Sequence, residues 1–208
     1  MIETLNKNRL LLGLVGVLQM MMAVIYFVME DAAGPITFHA WNSTVSLLGL
    51  IAIAAGVLTI AAGIWRSVQG KCWPLMLNGL ALSALGVIYY GFTRYPISLL
   101  SIACLIIVMA LSLAALEMVT ARALRRSKWL LTLAVVASVG FAFVFLSLGL
   151  GWIRLELGSR LDFLCFGAYF GFSAICLLTL ALLVGGRSLS QSGRRPSLSP
   201  LENPRPAH

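Results

Sequence analysis

Lys71-Cys72-Trp73-Pro74 opens a stretch that runs to Glu117 and contains two uncharged runs, Cys72–Thr93 and Tyr95–Leu116. Only the polar break Thr93-Arg94-Tyr95-Pro96 separates them. At about 1.5 Å of rise per residue, either run crosses the roughly 30 Å hydrocarbon core of a bilayer as a helix. The stretch therefore predicts a transmembrane helical hairpin. Outward from it, four further uncharged runs of the same kind appear: Leu10–Met29, Ala40–Trp65, Trp129–Ile153 and Phe163–Gly186. Six spans leave almost no chain for a soluble domain.

Composition agrees. The chain is 60% hydrophobic and 11% charged, outside the range of soluble domains. Its net charge of +8 is distributed in a way that points to the membrane and away from nucleic acid. Lys7, Arg9, Arg66, Lys71, Arg122, Arg125, Arg126, Lys128, Arg187, Arg194, Arg195 and Arg205 fall on one side of the spans. Arg94, Arg154 and Arg160 fall on the other, with Glu30, Asp31, Glu156 and Asp162. That asymmetry predicts both termini in the cytoplasm, with the basic loops against anionic lipid headgroups. Trp41, Trp65, Trp73, Trp129 and Trp152 all fall at span ends, as an aromatic belt requires.

The predicted fold is an all-α integral membrane protein with six transmembrane helices in three tandem, parallel hairpins. The hairpins cover about 10–65, 72–117 and 129–186, inside a transmembrane domain 10–186. Residues 1–9 form a short basic lead, since the first run is too long for a signal-peptide core and no A-x-A site follows. Outer turns are expected at Gly34-Pro35 and Arg94–Pro96. A basic inner loop is expected over Arg122–Lys128, where Lys128-Trp129 echoes Lys71-Cys72-Trp73. From Arg187 the composition turns to Ser, Pro and Arg, which predicts a disordered cytoplasmic tail over 187–208. Arg194-Arg195-Pro196-Ser197 in it has the form of a basic kinase site, a string common in such tails.

Small residues recur at a spacing of seven, close to two helical turns: Gly16/Ala23, Gly49/Gly56, Gly79/Gly86, Ala103/Ala110 and Gly167/Ala174. Each pair shares a face, and close backbone approach at small residues drives helix association in lipid. Gly16, Gly49, Gly56, Gly79, Gly86 and Gly167 are therefore the expected packing positions. Ala23-Val24-Ile25-Tyr26 and Gly86-Val87-Ile88-Tyr89 repeat a short motif, with Pro35 and Pro96 ending the following turns. The third hairpin is degenerate, with Val135 and Ala142 in the matching places. The parallel repeat implies an axis along the membrane normal.

The tandem hairpins with Trp73-Pro74, the Gly79-x6-Gly86 pair and the Pro96 turn resemble the HdeD-like proteins. These are short-repeat, six-helix bacterial inner-membrane proteins associated with acid resistance. The resemblance covers roughly 9–186 and is strongest over 71–117. It implies a non-enzymatic protein of the inner membrane with a role in acid or envelope stress tolerance, and it supplies no catalytic residues.

Candidate chemistry is sparse. Glu117 stands at the inner end of span 4, where pairing with Arg122 as an interfacial ion pair is the plain reading and proton sensing the sharper one. Gln19 and Asn78 are amides inside spans. Each needs a partner across a helix interface, or else lines a path for a neutral or weakly polar solute, which makes a small transporter or channel the alternative function. His39, beside Glu30 and Asp31, titrates near neutrality, although a solvated, inert histidine is the commoner case. Cys72, Cys104, Cys165 and Cys176 lack metal or disulfide spacing and read as small packing residues. No nucleophile–base set, zinc motif or phosphate loop occurs, so neither an enzyme nor a cofactor is expected. The expected partners are the bilayer and its anionic headgroups, with self-association left open and no nucleic acid.

Overall fold

The computed structural model describes residues 8–31, 38–64, 72–91, 98–123, 128–152 and 160–192. They form α1 (Arg9–Asp31), α2 (Phe38–Ile64), α3 (Trp73–Gly91), α4 (Leu99–Ala123), α5 (Lys128–Gly149) and α6 (Arg160–Ser192). Each helix holds a stretch long and apolar enough to cross a membrane. Among the described residues all regular structure is α-helical, and the protein is multi-pass.

Helix ends do not follow the uncharged runs: several lie further out, whereas α3 stops at Gly91, α4 starts only at Leu99 and α5 stops at Gly149. Glu30, Asp31 and His39 belong to helix termini, and α6 starts at Arg160. α4 continues through Arg122 to Ala123, and α6 runs six residues beyond Gly186. Charge marks where the chain leaves hydrocarbon, whereas a helix continues as long as its backbone groups find partners. The turns at Gly34-Pro35 and Arg94–Pro96, the side chains of Trp41 and Trp65, and the tail after Ser192 lie outside the described residues. Trp73, Trp129 and Trp152, at helix ends, are strongly exposed. α5 closes on Gly151 with φ of 71°, where the Gly151 N–H bonds Leu148 O at 3.1 Å and the Trp152 N–H bonds Ser147 O at 3.0 Å. That is a Schellman cap, which needs a left-handed residue and so favours glycine.

The most intimate helix pairs lie between the hairpins. They are α2 with α3, α1 with α6, and α4 with α5. At the α2/α3 interface, a Cβ on Gly56 would stand 2.7 Å from Gly79 O, and one on Gly86 would stand 2.7 Å from Gly49 O. The two glycine pairs thus meet backbone to backbone in antiparallel register. Gly63 extends the same seven-residue stripe, facing Met76 and Cys72. Gly16 packs on Leu178 and Ala174 O, and Gly167 on the Phe27 ring, both across α1/α6. Gly149 approaches Ala103 across α4/α5. A Cβ added at Gly16, Gly49, Gly56, Gly79, Gly86 or Gly167 would in each case meet an atom of a neighbouring helix within 3.2 Å.

Polar ties fix one end of the ring of helices. Asn8 Nδ2 donates to Ala62 O at 2.9 Å, and the Cys72 N–H donates to Gly63 O at 3.2 Å. The start of α1, the end of α2 and the start of α3 therefore sit together. The core at this end is mainly aliphatic, with Leu12, Val15, Leu75, Leu113, Leu116 and Leu180. The other part of the core sets a group of aromatic rings among its aliphatic residues. Tyr26 donates to Tyr89 Oη at 2.6 Å and stacks on Phe166 and Phe170 at centroid distances of 5.6 and 5.7 Å. Residues with the same place in the repeated motif thus meet in the core.

α5 is the exception. Only 28% of its span is buried, and it is not closely paired with α6 along the backbone. Rings hold the two apart: Phe141 lies 5.3 Å from Phe172, and Phe145 lies 5.4 Å from Phe166. Where α2 and α3 bring glycine to glycine, α5 and α6 bring ring to ring, and the separation follows from side-chain size.

Candidate functional site

Glu117 is wholly buried. Six further residues of α4 follow it, and its side chain is enclosed by the bundle. Oε2 accepts a hydrogen bond from the Ser138 hydroxyl at 3.2 Å. Ser138 is at the middle of α5, nine residues beyond Trp129 and so about 13 Å along the helix. The carboxylate therefore reaches deeper than its place in α4 suggests. The Cys176 thiol of α6 neighbours it, and the Tyr169 hydroxyl is within electrostatic range. Oε1 has no hydrogen-bond partner among the described residues, and neither has the Tyr169 hydroxyl.

Position 122 lies about 140° round α4 from position 117, so the two do not share a face. The Arg122 side chain is outside the described residues. Among those described, no basic side chain pairs with Glu117.

A cleft of about 390 Å³ opens between α5 and α6, with Glu117 and Cys176 in its lining. Its walls include Leu130, Leu133, Ile175 and Leu183. The aromatic spacers stop at Phe141 and Phe172, and below them α5 presents only Leu and Ala to the gap. Leu130 and Leu133 are 65% and 68% exposed, so the mouth faces sideways, towards lipid.

The two amides are placed apart. Asn78 Nδ2 donates to Met109 O at 3.1 Å, tying α3 to α4 as an amide in hydrocarbon must. Its Oδ1 is unpartnered among the described residues, as are both amide atoms of Gln19, which is fully buried. No hydrogen bond joins the two amides. The other buried hydroxyls mostly satisfy themselves within their own helix, Thr59 on Ala55 O, Ser112 on Met109 O and Thr120 on Leu116 O.

The uncharged run stops at Leu116, which is why sequence alone puts Glu117 at a span end. The signal for burial is the apolar continuation Met118-Val119, together with Ser138 and Cys176 as rare polar positions on other spans. Phe145 also escapes the sequence reading. Ala142-Phe143-Val144-Phe145 sits in the register of the two tyrosine motifs, and Phe145 is 1% exposed beside Tyr169 and Phe166. Comparison with protein-family models, curated proteins and solved structures finds no match.

Proposed function

We propose that this chain is a non-enzymatic protein of the inner membrane that contributes to acid or envelope stress tolerance, with Glu117 as the group that takes up a proton. The observation that carries this reading is the enclosed carboxylate itself. A lone negative charge at membrane depth is costly, so ionisable residues there mark functional positions. Ser138, Cys176 and Tyr169 are the polar groups around it, from α5 and α6. The HdeD-like resemblance of Trp73-Pro74 and Gly79-x6-Gly86 supplies the stress role. A strain lacking the protein is expected to survive an acid pulse less well than its parent, and Glu117→Gln is expected not to restore survival, whereas Glu117→Asp restores part of it. Equal survival of parent and deletion strain, with the protein shown to be made, would remove the stress role. Full rescue by Glu117→Gln would remove Glu117 from it.

The arrangement belongs to three tandem hairpins with N- and C-termini in the cytoplasm. Meeting of Tyr26 with Tyr89 supports the repeat, and the basic asymmetry supports the orientation. Alkaline phosphatase fused after Pro35, Pro96 or Gly158 is expected to be active, and after Gly70, Ser127 or Gln191 silent. Activity at Ser127 would break the topology, because four basic residues surround that loop.

A small-solute transporter is the second reading. The unpartnered Gln19 amide favours a polar lining, and the Tyr26–Tyr89 pair with its stacked phenylalanines weighs against an open axial path.

A further inference from the structure

We propose that the cleft between α5 and α6 is a binding site for a lipophilic amine, whose ammonium group pairs with Glu117 and whose apolar tail lies along the cleft. The inference goes beyond proton uptake and does not depend on the stress role, because it rests on the shape and polarity of the cleft.

Three observations converge. The cleft, at about 390 Å³, has the size of a small-molecule site, with apolar walls and a few polar groups at one place. It opens sideways, since Leu130, Leu133 and Ile175 are more than half exposed on the circumference. An occupant therefore arrives dissolved in the bilayer. The only carboxylate within the six spans lines the cleft, wholly buried, with Ser138 on Oε2, the Cys176 thiol beside it, and Oε1 without a hydrogen-bond partner among the described residues.

The chemistry of the occupant follows from that free oxygen. A buried carboxylate is stabilised chiefly by a cation that also donates hydrogen bonds. A primary ammonium carries three donors, enough for Oε1 and a second acceptor. A phosphate-bearing headgroup would bring negative charge against Glu117. A plain acyl chain would fill the walls and leave Oε1 unsatisfied. An amine on an alkyl tail meets both requirements.

The test uses the full chain in nanodiscs and two photoreactive probes, a decylamine with a diazirine in its tail and the matching decanol. After illumination, labelled peptides are mapped by mass spectrometry. The amine is expected to label residues 130–137 and 172–183 saturably, about tenfold more than the alcohol, as fits a partly desolvated charge pair. Glu117→Gln should lower amine labelling to the alcohol's level, and Glu117→Asp should retain most of it. Ala137→Trp fills the cleft while keeping Glu117 in the sequence and should abolish labelling by both probes there. This variant, with the amine–alcohol comparison on the wild type, decides the matter even where Glu117→Gln does not fold. Equal labelling by the two probes would mean that the cleft holds acyl chains only, and amine labelling that persists in Ala137→Trp would place the site elsewhere. Either result overturns the proposal. Acid survival is read in a separate assay, so failure of one inference leaves the other standing.

Discussion

Replacing Gly56 by leucine is expected to abolish the folded bundle, and replacing it by alanine to destabilise it by about 1–3 kcal/mol, the usual cost of overpacking. A Cβ at position 56 would lie 2.6 Å from the Ser83 backbone nitrogen and 2.7 Å from Gly79 O. Both are backbone atoms, so no rotamer change relieves the clash. α2 and α3 must separate, and the separation loosens packing along the whole stripe. Gly79→Ala is expected to cost a similar amount, since its Cβ would meet Gly56 O at 2.7 Å. The double alanine variant should cost less than the two together, because one separation of the helices accommodates both methyl groups. Gly140→Ala serves as the control, as nothing lies within 4 Å of its Cβ. Unfolding midpoints from SDS titration in mixed micelles measure the series. If Gly56→Ala unfolds like the wild type, the glycine stripes do not hold the pair together.

Tyr26→Ala is expected to be the most damaging single truncation in the aromatic part of the core, at about 3 kcal/mol or more. The ring is 4% exposed, stacks on Phe166 and Phe170, and reaches Phe163 at 6.5 Å. In lipid the transfer contribution shrinks, and what remains is the dispersion attraction that the cavity walls forfeit when the ring is gone. Tyr26→Phe separates ring from hydroxyl. It removes only the bond to Tyr89 and should cost about 1 kcal/mol. The same SDS titration reads both. A Tyr26→Phe cost equal to that of Tyr26→Ala would assign the stability of this layer to the hydroxyl pair and not to the stacked rings.

The expected glycine positions come from spacing alone, and spacing names a face without naming its partner. Gly49/Gly56 and Gly79/Gly86 each read as a stripe within its own helix. That the stripes press on each other, across the boundary between two hairpins, is visible only in the arrangement of helices. The hairpin reading suggests that neighbours within a hairpin are the tight pairs. Yet α3/α4 and α1/α2 are looser than α2/α3, α4/α5 and α1/α6. Loop connection constrains which helices are near, and side-chain size decides how near.

Six helices and their membrane class are legible in the bare sequence, because an apolar run of sufficient length has no other way to satisfy its backbone in hydrocarbon. So are the faces that carry small residues, since helical periodicity is a property of one segment. The fate of Glu117 is settled only by the packing of other helices. Whether a carboxylate near a helix end meets water or protein depends on what lies beside it, and here Ser138 and Cys176 come from spans 21 and 59 residues further on. The cleft is of the same kind. A gap between α5 and α6 arises from rings on two helices propping them apart, a property of the pair that neither segment carries.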